Sequence, residues 1–148
     1  MDERGLLAPE TAADAREQYR ALGPAAQTVT REVAKAMDFA REEYETRVTG
    51  DVVETARDAL FASLLVVSVG TYDEFEAFAA AHPDLEVHEN GSDQVDNAAW
   101  HVVPFADALV AATFQAEGEA AVATLRRVVH GRFYSDAVRS GDEFRKGD

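Results

Sequence analysis

The stretch Leu65-Val-Val-Ser-Val-Gly-Thr-Tyr-Asp-Glu74 contains a change from strand to helix. Its first half is rich in β-branched residues, which favour strands, and ends at Gly70. In its second half, Thr71 and Glu74 have the spacing of a capping box, in which each side chain satisfies a free backbone amide at a helix start. The stretch predicts a strand followed directly by a helix. The upstream border stays open, because the apolar run 59–69 fits either a helix end or a buried strand.

The preceding segment, residues 10–61, has helical periodicity. A short helix over about 10–22 is predicted to close at Gly23-Pro24, because glycine accepts a left-handed cap and proline cannot continue a helix. A helix of about 23 residues is predicted next, ending at Gly50, and a third helix is predicted to start at Asp51. The long helix is predicted from apolar residues spaced three or four apart: Val29, Val33, Met37, Ala40 and Tyr44.

The following segment, residues 64–133, has mixed character. Three strands are expected at 85–89, 99–104 and 109–115, joined as an antiparallel meander with a turn signal at Asn90-Gly91, before a last helix from about Glu119. The whole pattern predicts an α+β fold in which helices pack on one face of a small sheet. We expect a single domain over 1–148, with a flexible polar tail at 135–148.

The chain is strongly acidic. It has 28 Asp and Glu against 14 basic residues, a net charge of -14, and its only lysines are Lys35 and Lys146. At molar salt the Debye length falls to about 3 Å and such self-repulsion largely disappears, so the composition predicts a protein of a potassium-rich cytoplasm. No cysteine is present, which excludes disulfides, thiolate zinc sites and cysteine nucleophiles. Neither a signal peptide nor a membrane-spanning apolar run is evident, so we expect no membrane association.

Three segments are similar to a known group of proteins: Leu22-Gly-Pro-Ala-Ala-Gln27, Thr55-Ala-Arg-Asp-Ala-Leu-Phe-Ala-Ser63, and Gly70-Thr71 with Glu74-Phe75-Glu76. They resemble a family of small conserved proteins of unknown function in halophilic archaea, and the resemblance extends to about Arg132. The family has no assigned activity, so the resemblance implies no catalytic or binding residue. It supports a halophilic origin.

A metal site is one hypothesis for the predicted hairpin. If the strand at 85–89 pairs with the strand at 99–104, His88 lies beside His101, with Asp93 and Asp96 in the loop between them. Two histidines and a carboxylate can bind zinc or iron and can also transfer protons. The alternative is that these residues occupy the wet face of a half-exposed strand. No other cofactor is predicted, and the sequence contains no nucleophile elbow or phosphate loop, so enzymatic activity is left open with a leaning against it.

The C-terminal part is basic relative to the rest. Residues 126–148 hold 6 basic and 4 acidic residues, a net charge of +2. Arg126, Arg127, Arg132 and Arg139 are therefore candidates for contact with an anion or a nucleic acid. Counterion release yields little free energy in molar salt, which argues against nucleic acid as a partner. Alternatively, these arginines complement the dipole of the last helix and pair with the protein's own carboxylates.

An interaction surface is predicted on the N-terminal helices. Phe39 and Tyr44 cannot both lie on the narrow stripe that contains Val33, so an additional apolar side is available for a partner. Alternatively, Phe39 is a single exposed aromatic residue, which is common. The sequence thus favours a non-catalytic protein-protein interaction or regulatory module, a homo-oligomer in the first instance. A small-ligand or metal site at His88 and His101, or weak RNA association through the C-terminal arginines, are the alternatives.

Overall fold

The structure is a computed structural model that describes residues 1–38, 40–47 and 49–139. Its five strands are β1 (Asp2–Arg4), β2 (Val67–Thr71), β3 (Glu86–Asn90), β4 (Asn97–Val103) and β5 (Ala108–Phe114). Its helices are α1 (Ala12–Ala21), α2 (Gly23–Ala36), α3 (Arg41–Arg47), α4 (Gly50–Leu64), α5 (Tyr72–Ala81) and α6 (Gly118–Val129). A short 3-10 turn (Pro104–Ala106) joins β4 to β5, and a π-helical turn (His130–Tyr134) follows α6. The predicted α+β class is confirmed.

The strands form one mixed sheet in the order β1-β2-β4-β5-β3. The pairs β1/β2, β2/β4 and β4/β5 are antiparallel, whereas β3 is parallel to β5. The predicted meander is therefore wrong for β3, which does not form a hairpin with β4. Strand β4 is paired with β2 on one edge and with β5 on the other. Strand β3 therefore pairs with the remaining edge of β5.

Strand β1 is absent from the sequence prediction. It has only three residues, all charged and exposed, and so carries neither alternation nor a β-branched run. It covers the outer edge of β2, with Glu3 opposite Ser68. Backbone hydrogen bonds from Leu6 and Leu7 to the Leu64 carbonyl, both 2.8 Å, hold the chain there. The N-terminal segment thus protects an otherwise unpaired sheet edge.

Helices cover both faces of the sheet, not one face as predicted. Because side chains alternate along β4, Ala99 and Val103 join the core under α1, α4 and α6, while Ala98 and Trp100 join a second core under α5. Phe75 of α5 is 2% exposed against Trp100, with ring centroids 5.7 Å apart. Strands β4 and β5 are therefore buried on both sides, as in sheets enclosed between helical layers.

The N-terminal helices differ from the prediction at their ends. Gly23-Pro24 begins α2 instead of closing α1, since Leu22 has right-handed helical angles and Pro24 fits the first turn. The predicted long helix is broken, because α2 ends at Ala36 and Asp38 has a φ of 55°. Aspartate tolerates this left-handed conformation better than most residues. The cap of α4 is Thr49, whose hydroxyl accepts a hydrogen bond from the Val52 amide, so the cap predicted at Asp51 is two residues late.

Other boundaries follow the sequence closely. The capping box is present: the Thr71 hydroxyl accepts from the Glu74 amide at 3.1 Å, and the Glu74 carboxylate accepts from the Thr71 amide at 2.9 Å. The apolar face of α6 is buried as predicted. Residues 135–139, predicted to begin a flexible tail, are helical, with Val138 only 4% exposed. The remainder of that predicted tail, 140–148, lies outside the described residues.

Candidate functional site

A polar network joins α1, α4 and the C-terminal helical segment. One Asp58 carboxylate oxygen accepts a hydrogen bond from the Tyr19 hydroxyl at 2.8 Å, and the other pairs with Arg139 Nη2 at 2.7 Å. Arg139 Nε also pairs with Glu54 at 3.1 Å, and His130 Nε2 lies 3.6 Å from Asp58. Each of the three helical segments thus supplies at least one member, and Asp58 is the hub.

The electrostatics of this network indicate a structural role. Burial and the hydrogen bond to Asp58 raise the pKa of Tyr19 to about 12, so its proton stays in place as a donor. Burial lowers the pKa of Arg139, but the hydrogen bonds and charges of Asp58 and Glu54 outweigh it and raise that pKa overall. Burial also lowers the pKa of His130, and the attraction of Asp58 offsets this only in part. A tyrosine held as a phenol and an arginine held as a cation suit anchoring better than nucleophilic chemistry.

An apolar ridge lies exposed on α2 and its C-cap residue, Met37. Val29, Val33 and Met37 are 43%, 52% and 60% exposed and follow one another at four-residue spacing. The neighbouring positions Ala26, Thr30 and Ala34 are buried, and α2 contacts α4. The apolar arc of α2 is therefore wider than the part that α4 covers.

A cleft between α4 and α6 has a volume of about 440 Å³. It is lined by small side chains from both helices and by the charged side chains of Arg4, Arg126, Arg127 and Glu119. Half-buried Arg126 donates from Nε to the Leu65 carbonyl at 3.1 Å and from Nη2 to the Arg4 carbonyl at 3.4 Å. The end of β1 thus reaches across to the last helix.

The chain matches a family of unknown function, DUF5809, over residues 6–135. It belongs to the DUF5809 family. The matched region runs from just after β1 through the π-helical turn, so that Arg4 and Arg139 lie outside it. No curated protein and no solved structure matches the chain. Over the described part of this DUF5809 member, no helix has the length and apolarity needed to cross a membrane.

The two strand histidines of this DUF5809 chain do not lie side by side. Both are opposite Val110 of β5, His101 on the β4 side and His88 on the β3 side, so two strand spacings, about 10 Å, separate their backbones. The pairing on which the metal hypothesis depended does not form. His88 is half-buried against the ring of Phe133 at 5.6 Å, with Glu86 4.0 Å away.

His101 has both ring nitrogens occupied. Nδ1 lies 2.5 Å from the Val66 carbonyl, which can only accept, so Nδ1 carries the proton and Nε2 accepts from the Tyr134 hydroxyl at 2.6 Å. Only 5% of the residue is exposed, and burial lowers the pKa of its imidazole. In its neutral form, His101 therefore ties β4 to the residue that precedes β2 and to the π-helical turn.

The two predicted aspartates lie in the loop before β4. Asp96 accepts from Gln115 Nε2 at 2.7 Å, and Asp93 accepts from Gln94 Nε2 at 3.0 Å. Both line a polar cleft next to Tyr72, on the α5 side of the sheet. Across residues 1–38, 40–47 and 49–139, no three His, Asp or Glu side chains are grouped so as to hold a metal ion. The metal site stays a prediction that this geometry does not favour.

The four predicted arginines occupy three different environments. Arg126 and Arg127 line the α4–α6 cleft, Arg132 is exposed, and Arg139 belongs to the Asp58 network. Of the predicted interaction residues, Val33 is exposed and Tyr44 is half-buried, while Phe39 lies outside the described residues.

The sequence prediction missed Asp58, Tyr19 and Arg4. A signal for Asp58 was available, because Glu54, Asp58 and Phe61 have the spacing that places residues on one helix face, and Phe61 is fully buried. Acidic residues on the core face of a helix require partners when they are buried. No comparable signal exists for Arg4, whose place depends on the pairing of β1 with β2.

Proposed function

We propose that this protein is a non-catalytic interaction module that self-associates through the exposed ridge of α2. The main support is the clustering of exposed apolar side chains. Seven large apolar side chains are exposed among the described residues, and three of them, Val29, Val33 and Met37, lie on one ridge. Single exposed apolar residues are common on protein surfaces. Three on successive turns of one helix form a continuous contact line, which is typical of a helix that packs against another helix.

The geometry of the ridge favours a second copy of this chain as the partner. Residues at i, i+4 and i+8 form the ridge that packs into the matching groove of another helix at a crossing angle near −50°. When two copies meet antiparallel with Val33 on the two-fold axis, Val29 of one copy lies over Met37 of the other. The same surface then serves both partners, as a two-fold interface requires.

Charge supports the same arrangement. Helix α2 carries Arg31, Glu32 and Lys35, a net charge of +1 in a chain of net -14, so this helix lacks the excess negative charge of the chain as a whole. Glu32 and Lys35 lie on one flank of the ridge, 3.4 Å apart. In an antiparallel helix pair each flank meets the same flank of its partner, so Glu32 of one copy can pair with Lys35 of the other.

We further propose that the protein works in a potassium-rich cytoplasm, on the strength of its composition. Two chains of net -14 repel each other at low ionic strength, and this repulsion is screened once the Debye length shrinks to about 3 Å near 1 M salt. Self-association should therefore strengthen with salt, because the apolar contact remains while the repulsion weakens.

Sedimentation equilibrium at about 0.1 M and about 1 M KCl tests this function. We expect a dimer at the higher salt concentration and weaker association at the lower one. Val33→Glu should give a monomer with unchanged circular dichroism, because it places a charge at the centre of the ridge. The matched control is Val87→Glu, since Val87 is 45% exposed on edge strand β3 and the charge change is the same. A monomeric wild type at about 1 M KCl, or equal association of the two variants, would refute the proposal.

A further inference from the structure

The α4–α6 cleft holds a cation without a carboxylate partner. In a chain with 28 acidic residues, half-buried Arg126 has no ion pair with any Asp or Glu of the described residues. The charged group that most affects it is instead Arg4, and burial together with that like charge lowers the pKa of Arg126. The side chain stays cationic because the ordinary pKa of arginine is above 12. An unneutralised cation in this position attracts an anion.

The guanidinium is also held in place. Its Nε and Nη2 donate to the Leu65 and Arg4 carbonyls, so the plane of the group is set by two backbone contacts. No acceptor for Nη1 lies within the described chain, which leaves donors free at the wall of the cleft. The side chain of Arg127, whose one hydrogen bond within the described residues is a long one of 3.5 Å to Thr124, also lines the cleft. A fixed guanidinium fork is the group that proteins commonly use to bind oxyanions.

Between the arginines, the cleft is lined mostly by short apolar side chains. Ala59 and Ala62 of α4 and Val122 and Ala123 of α6 line it together with Ser63, and their small size leaves a space of about 440 Å³ between the helices. This volume is within the range of small-molecule sites, about 300–1,000 Å³. A ligand with an anionic head at the arginines and a short apolar body over the alanines would fit both parts.

Glu119 restricts the class of anion. It lies on the cleft wall seven residues before Arg126, about 10 Å along the helix axis. A polyanion laid along the cleft would meet this carboxylate. A small monoanion with one charged end would not, because only its apolar end points toward Glu119.

From these features we infer that the cleft between α4 and α6 is a binding site for a small organic monoanion, a short-chain carboxylate, whose head group is held by Arg126, Arg127 and Arg4. The site is independent of the α2 ridge and would bind in a monomer as well as in a dimer. Nucleic acid is the competing anion, and the test below separates the two.

Amide chemical-shift titration of the 16.1 kDa protein with hexanoate tests the inference, with acetate and 1-hexanol as probes of the head and body alone. We expect hexanoate to shift the amides that line the cleft, with an affinity at least about tenfold higher than that of either partial probe, since contacts to charged groups contribute about that factor or more. All samples should contain the same KCl concentration, because chloride competes for the guanidinium groups.

Two variants and two matched controls locate the site. Ala123→Leu fills the cleft from an exposed helix position, and Arg127→Gln removes one charge from its wall. Both should weaken hexanoate binding about tenfold or more. Ala77→Leu on α5 and Arg132→Gln, which change exposed residues elsewhere, should leave the affinity unchanged. The inference is overturned if hexanoate binds no more tightly than hexanol, if the cleft variants bind as the controls do, or if polyuridine RNA binds and hexanoate does not.

Discussion

Replacement of Asp58 by asparagine should destabilise the protein substantially. The substitution keeps the shape of the side chain but removes its charge and converts one acceptor oxygen into a donor. In the wild type, Asp58 accepts from Tyr19 at 2.8 Å and pairs with Arg139 at 2.7 Å. An asparagine can satisfy one of these donors, and its amide nitrogen would face the other.

The magnitude follows from these two contacts. A hydrogen bond to a charged group contributes about 1.5–3 kcal/mol, and a buried donor left without a partner costs a similar amount. The Asp58 side chain is 25% exposed and that of Arg139 is 37% exposed, so solvent screening places the Arg139 contact at the lower end of the range. We expect a loss of about 2–3 kcal/mol in the free energy of unfolding. For a chain of this size that corresponds to a fall in Tm of about 4–12 °C.

Urea and thermal unfolding followed by circular dichroism, at one KCl and one protein concentration, measure this loss. Asp84→Asn is the matched control, because Asp84 is exposed in the turn before β3, and its effect should stay within about 0.5 kcal/mol. A double-mutant cycle with Arg139→Gln should show coupling of about 1 kcal/mol or more. If Asp58→Asn were as mild as Asp84→Asn, the network would not anchor the helices and the reasoning would be refuted.

Two further predictions concern pH and backbone conformation. Burial lowers the pKa values of His101 and His130 below the unfolded value of about 6.5, so the unfolded state binds more protons in that window. The contribution of the two neutral histidines to the free energy of unfolding should be fully present above about pH 6.5. It should fall as the pH is lowered, by up to about 1.4 kcal/mol per pH unit for each histidine. His101→Gln should reduce this slope in urea titrations between pH 7 and pH 5. An unchanged slope in that variant would contradict the assignment. Gly91→Ala should lower the free energy of unfolding by more than about 1 kcal/mol in the same assay, because Gly91 has a φ of 104° and an added Cβ would overlap the Thr113 hydroxyl. The control, Gly50→Ala in α4, should be neutral or stabilising. Equal effects of the two substitutions would show that the backbone at Gly91 relaxes freely.

Local features of the fold were readable from the sequence because their causes are local. The capping box depends on two residues three positions apart, and the apolar face of α6 depends on the helical period alone. The acidic composition and the absence of cysteine are likewise properties of the chain itself. The DUF5809 match covers residues 6–135, and the description of that family assigns no function.

Features that depend on which elements are neighbours were not readable. The alternation in β3 shows where its side chains point, but it does not indicate whether the next strand is β4 or β5, so His88 and His101 were placed side by side when Val110 lies between them. The contact between Arg126 and Arg4 likewise depends on where β1 pairs.

The sequence by itself determined the secondary-structure class, the cap of α5, the core face of α6 and the charge of the surface, since these follow from short-range periodicity and residue counts. The tertiary structure decided the mixed sheet, the helical layers on both of its faces, the Asp58 network and the arginine cleft. Each of these brings together residues that are far apart in sequence, such as Tyr19 with Asp58 and Arg4 with Arg126, and such contacts are set by long-range packing that no local pattern records.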